Sequence, residues 1–186
     1  MGLFNFLKQK TIYFQPDLRK DEYENWLDFL DAGGTTQEWE RLKAVNKWRF
    51  AESEVERFER YQKELKPFST RYFKQMQEIE HEWSTLYNLG AYNSQLAYNL
   101  EQKCIANIAD YTEMRRIDRK YGQKTATNIP AFRRLAMLYE KQGRFEDSVA
   151  VCKHAWSLGM DERSRMVRMI KKAGRAATEA ELKLLE

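Results

Sequence analysis

Apolar positions recur at helical spacing along nearly the whole chain, and no alternating run bounded by hairpin turns interrupts them. The first helix is predicted from about Pro16 to Asp31. Proline suits a first helical turn, Leu18, Tyr23, Trp26, Leu27 and Leu30 form an apolar face, and Gly33-Gly34 ends it. Thr35-Thr36-Gln37-Glu38 then reads as a capping box that opens a second helix. That helix is expected to run from Thr36 to about Lys66, roughly 45 Å at ~1.5 Å per residue.

Its apolar residues follow a four-three rhythm through Ala44, Trp48, Ala51, Val55, Phe58 and Leu65, with polar Gln62 in one slot. The rhythm resumes after Pro67 with Tyr72, Met76, Ile79, Trp83 and Leu86. Two geometries fit. In the preferred one the chain turns at Pro67, because proline inside a helix costs ~3 kcal/mol. Ser69 would cap the returning helix, with Phe68 and Phe73 as its hydrophobic staple. Phe58 then faces Met76, Val55 faces Ile79, Ala51 faces Trp83 and Trp48 faces Leu86. In the other geometry the unbroken register makes one kinked helix. Gly90 stops this segment in either case.

A fourth helix is predicted from about Ser94 to Tyr121, with Leu96, Leu100, Cys104, Ile105, Ile108, Tyr111, Met114 and Ile117 on one face. Gly122 stands at its C-terminal cap, and residues 123–128 form a polar loop. The chain is thus all-α, in three parts: an N-terminal segment (1–15), a helical bundle or antiparallel, coiled-coil-like hairpin (16–90), and a helical C-terminal region (91–186).

From Asn128 the pattern sharpens. Pro130 opens a helix with Phe132, Leu135, Ala136 and Tyr139 at its apolar positions, Gly143 makes a turn, and a second helix carries Val149, Cys152 and Ala155 before Gly159. The run Leu135-Ala136-Met137-Leu138-Tyr139-Glu140-Lys141-Gln142-Gly143-Arg144-Phe145 resembles the helix-turn-helix of one tetratricopeptide repeat, over about residues 128–161. In that resemblance Phe132 takes the tryptophan position, Leu135 the leucine, Ala136 the small residue, Tyr139 the tyrosine, Cys152 the phenylalanine and Ala155 the final alanine. Ser148 departs from the usual alanine, and Met160 stands where proline often closes the unit. One repeat is visible, and the fourth helix and residues 162–172 are its candidate neighbours. The resemblance implies partner binding along the first helix's groove at Arg133, Met137, Glu140 and Lys141. Met137 replaces the asparagine of the carboxylate-clamping type, which argues against recognition of a C-terminal carboxylate. A purely structural hairpin is the competing reading.

Composition narrows the function classes. The 186 residues are 42% hydrophobic and 32% charged, which excludes disorder and implies extensive solvated helix faces. The cluster Leu3, Phe4, Phe6 and Leu7 is too short for a secretory signal, and Phe6 occupies the place a myristoylation signal gives to serine or threonine. The uncharged run Trp83–Leu100 holds too many polar residues to settle in hydrocarbon. A cytoplasmic protein with no membrane partner is expected. Cys104 and Cys152 read as buried free thiols rather than a disulfide.

His81 and His154 have no histidine or cysteine at metal-ligand spacing, so no metal or cofactor is expected. Cys152 and His154, two apart, fall on different helix faces. There is no phosphate-binding glycine loop and no nucleophile elbow, so no catalytic residues are assigned. Charge is lopsided: net −2 over residues 1–100 and +6 over 101–186. Arg115, Arg116, Arg119 and Lys120 form one basic group suited to phosphate or an acidic surface. Arg165, Arg168 and Lys172 share a face of the last helix.

The expected function is a non-enzymatic protein–protein interaction module, an adaptor or inhibitor that uses the C-terminal hairpin and its basic flank. A nucleic-acid-associated protein using the same basic helices is the second reading, and a coiled-coil homo-oligomer the third.

Overall fold

A computed structural model describes residues 13–126 and 129–185. Among them the chain forms eight helices and no strand, apart from one isolated bridge between Asp21 and Ala51. The expected all-α class is therefore what the chain adopts. Most of the predicted N-terminal segment, including the Leu3–Leu7 cluster, lies outside the described residues. Two compact units divide the chain, Met1–Arg60 and Tyr61–Glu186.

In the first unit, α1 spans Glu22–Asp31, beginning six residues later than the proline suggests. The reason is local chemistry. The Asp21 carboxylate accepts from the Glu24 amide at 2.8 Å and so caps the helix there. The fully buried Asn25 braces the turn before it: its Oδ1 accepts from the Asp17 amide (2.8 Å), and its Nδ2 donates to the Asp17 and Asp21 carbonyls (2.9 and 2.8 Å).

Helix α2 (Thr36–Asn46) opens with the expected capping box between Thr35 and Glu38. It does not continue to Lys66. Lys47 adopts a left-handed conformation with φ of 52° and ends it. Trp48 and Phe50 then pack on Trp39, with ring centroids 5.6 and 5.7 Å away. Phe29 joins at 5.6 Å, leaving Trp39 and Phe29 each 1% exposed. Burying these rings outweighs continuing the helix. Gly34 lies flat on this core, where a Cβ would stand 2.2 Å from the Phe29 ring.

Helix α3 runs unbroken from Glu54 to Leu89 with Pro67 inside it, so the chain does not turn at Pro67. The expected pairs Phe58–Met76 and Val55–Ile79 lie along one helix, Trp48 and Ala51 fall in the irregular segment before it, and Val55 and Phe58 are exposed. The apolar rhythm across Pro67 marks one continuous stripe, whose second half (Tyr72, Ile79, Trp83 and Leu86) is buried. The reversal occurs instead at Gly90, with φ of 64°, and α4 (Gln95–Tyr121) returns from a Ser94 cap to a Gly122 cap as anticipated.

Bonds between α3 and α4 mark this long antiparallel pair along its length. Tyr61 donates to Asp118 at 2.9 Å, Arg71 pairs with Asp110, Asn107 donates to the Tyr72 carbonyl at 2.9 Å, and Lys103 pairs with Glu78 and Glu82. On the predicted face of α4, Leu100, Cys104, Ile108, Tyr111 and Ile117 are buried, whereas Ile105 is exposed at 45%.

Two more hairpins follow. Helices α5 (Pro130–Lys141) and α6 (Phe145–Ser157) turn at Gly143, and α7 (Arg163–Lys172) and α8 (Glu179–Leu185) are joined through Gly174. Helix α5 is buried on two sides. Phe132, Leu135, Leu138 and Tyr139 face a core shared with α3 and α4, while Ala136 faces a second core with Val149, Cys152, Met166, Met169 and Ile170.

Pro67 leaves the Lys63 carbonyl without its helical donor. Pro67→Ala is expected to raise stability by about 1–2 kcal/mol once the freer unfolded chain is counted, read as a higher urea midpoint. A lower midpoint would show that proline fixes a turn at this position.

Candidate functional site

The α5–α6 hairpin is positioned by residues of small volume. Ala131, Ala136, Ser148, Cys152 and Ala155 are all within 1% of complete burial, which lets helices approach closely. Ser148, which departs from the repeat pattern, has a specific use: its hydroxyl donates to the Ala136 carbonyl across the hairpin at 2.9 Å in full burial. Phe132 meets the exposed His154 edge-on, with centroids 5.2 Å apart.

The turn is clamped from α4. Tyr139 donates to Glu101 at 2.8 Å, and Arg144 stacks over the Tyr139 ring at 4.0 Å while reaching Glu101 at 3.0 Å and Asp147 at 2.7 Å. Burial, reinforced by the Glu101 carboxylate, pushes the Tyr139 hydroxyl well above the ordinary phenol range. Gln142 donates to the Tyr92 carbonyl at 2.8 Å.

The outward residues of α5 and α7 form one connected charged network. Glu140 accepts from Arg168 and Lys172 at 2.8 Å each and lies 3.5 Å from Arg165. Arg165 also reaches Glu162 at 3.0 Å, and Glu162 lies 3.9 Å from the exposed Arg133. Burial alone would push the Glu140 carboxyl up, but hydrogen bonds from Arg168 and Lys172 outweigh it and hold the group below its ordinary value. Thus the structure brings Glu140, Arg165, Arg168 and Lys172 together, with Arg133 at the edge. Met137 is half-buried against the first core, and Lys141 stands near the rings of Tyr87 (5.8 Å) and Tyr92 (5.5 Å).

A second ion pair ties α5 to α3. Arg134 grips Glu80 with two bonds of 2.9 and 2.6 Å while lying 5.4 Å from the Trp83 ring centroid. Sequence spacing gives no sign of the Glu80–Arg134 or Glu162–Arg133 contacts, since these partners are remote in the chain. The other basic group is dispersed over its helix. Arg116 pairs with Glu113, and Lys120 with Glu64, each at 2.8 Å. Arg115 is half-buried and Arg119 exposed.

Behind α6 and α7 a buried carboxylate anchors α8. Glu181, with its side chain 3% exposed, binds Arg175 at 2.7 Å and accepts from the Thr178 amide at 2.9 Å. Arg175 extends to Glu146 at 2.6 Å. Cys104 and Cys152 are the buried free thiols expected, and burial pushes both up to about 12. Among the described residues no three His, Cys, Asp or Glu side chains gather as metal ligands. No helix among them is long and apolar enough to cross a membrane.

No family model, curated protein or solved structure matches the chain.

Hydrogen bonding to Arg175 holds the Glu181 carboxyl down to about 2, against an ordinary 4.5. A depressed folded-state value means the stabilisation is complete above 4.5 and lost as pH falls toward 2. The urea midpoint is expected to fall across this window more steeply for the wild type than for Glu181→Gln. Parallel curves would show that the Glu181 charge does not support the fold.

Proposed function

We propose that the chain is a non-enzymatic protein-interaction module whose partner lies along the outer face of α5 and α7, the hairpin α5–α6 being of tetratricopeptide type. The observation that carries this reading is the network centred on Glu140. It links the outer faces of two helices that belong to successive hairpins, and α3 is linked to α5 in the same way through Glu80 and Arg134. Three hairpins whose first helices share a charged face resemble the repeat arrangement in which first helices line the binding groove.

The energetics suit exchange. Arg168 and Lys172 are about half exposed, with side chains at 51% and 45%, and such pairs contribute about 0–1 kcal/mol each. A partner carboxylate can share the exposed heads of Arg168 and Lys172 with Glu140, which keeps its place between the helices. Arg133 and Lys141 flank the network and are exposed, so they suit acidic or mixed-charge residues of the partner. Most cations of the C-terminal half already have carboxylate partners within the fold. That favours a protein ligand over the dense phosphates of a nucleic acid, which demand many uncommitted cations.

The test is a charge-reversed variant, Arg133→Glu with Lys141→Glu, compared with wild type in affinity capture from the native host and then in a binding titration of the recovered protein. Affinity is expected to drop at least about tenfold with unchanged helix content and melting temperature. A partner retained at full affinity would remove the α5 face from consideration. Binding to any DNA or RNA that weakens steeply with salt would establish the nucleic-acid reading instead.

A further inference from the structure

The first unit holds an open cleft of about 810 Å³ that the proposed interaction face does not use. Its walls are aromatic: Trp39, Trp48 and Phe50 on one side of the lining, with Tyr23 and Trp26, whose rings lie 5.5 Å apart, completing it. Four carboxylates, Glu22, Glu40, Glu52 and Glu56, also line it, and no lysine or arginine does among the described residues.

The fold does not balance these charges. Lys43 serves both Glu22 (2.5 Å) and Glu40 (3.0 Å), and Arg60 serves Glu52 (2.6 Å), so among the described residues two cations answer four carboxylates. Aromatic faces with surplus negative charge attract a cation twice over, through the ring quadrupoles and through Coulomb interaction. Trp26 lines the cleft, and its buried Nε1–H has no hydrogen-bond partner among the described residues. A bare ammonium ion cannot accept that hydrogen bond, whereas a peptide carbonyl can.

We infer that this cleft receives a lysine- or arginine-bearing peptide segment of a partner. The cationic head lies among the rings and carboxylates, and a main-chain carbonyl of the segment accepts from Trp26. This site is separate from the α5–α7 face, and either can fail while the other stands.

The experiment is an NMR titration of the full chain with acetyl-Gly-Lys-Gly-Lys-Gly-amide, with the same peptide carrying norleucine for lysine, and with tetramethylammonium chloride. The indole resonance of Trp26 is assigned through Trp26→Phe. The lysine peptide is expected to move that resonance and to bind about tenfold more tightly than the norleucine peptide. Glu40→Gln, an exposed substitution that leaves the aromatic core intact, is expected to weaken it roughly three- to fivefold. Equal affinity for the two peptides would overturn the cation's role, and tetramethylammonium binding as well as the peptide without moving Trp26 would overturn the peptide's. No shift with any of the three probes would overturn the site.

Discussion

The contact between α5 and α6 at Ala136 and Ser148 sets the geometry of the second unit. A hydroxyl buried without a partner costs about 1–3 kcal/mol in protein mutational data, so Ser148 is tolerable there only because the Ala136 carbonyl is within reach at 2.9 Å. Small residues on both helices permit that approach, and the approach in turn turns α5 so that Phe132, Leu135 and Tyr139 enter one core while Ala136 enters the other. A helix buried on two sides has little freedom to rotate. The outward positions Arg133, Glu140 and Lys141 are therefore fixed in direction by residues they do not touch.

That fixed direction gives the charged network its meaning. Isolated surface pairs add little stability. Glu140 is different in degree, since its side chain is 16% exposed and engages three cations on α7. It holds α7 in register with α5 as Arg134 and Glu80 hold α5 with α3. Glu181 and Arg175 repeat the device between α8 and α6, which Arg175 reaches at Glu146, here with a nearly buried carboxylate. Charge thus orders the hairpins, while apolar packing supplies the bulk of the stabilisation.

Much of this was legible in the residues. The caps at Thr35, Ser94 and Gly122, the stop at Gly90, the turn at Gly143, and the buried faces of α4, α5 and α6 all follow from local spacing and from side chains that satisfy helix ends. The failures share one cause, which is tertiary contact overriding a local signal. Pro67 was read as a turn because its local penalty is large. The cross-links of α3 to α4 from Tyr61 to Lys103 nevertheless span it and keep the helix straight enough to pass through. The second helix ends at Asn46 because Trp48 and Phe50 gain more by covering Trp39 than by extending a helix. The groove positions on α5 were named from the repeat resemblance. The Arg133–Glu162 contact and the neighbouring Arg134–Glu80 pair are invisible in the sequence, because pairing between distant segments leaves no trace in spacing. The aromatic cleft is hidden for the same reason: Trp48 reads as part of a helix stripe and Tyr23 and Trp26 as a face of the first helix, and neither pattern brings them together with Trp39 and Phe50.

The central claim, that the α5–α6 contact through Ser148 holds the hairpin together, is tested most directly by equilibrium urea unfolding of Ser148→Val. This change removes the hydroxyl and adds a methyl group at a fully buried contact. Stability is expected to fall by roughly 2–4 kcal/mol, combining a lost hydrogen bond with overpacking. An unfolding curve that superimposes on the wild type would contradict the account.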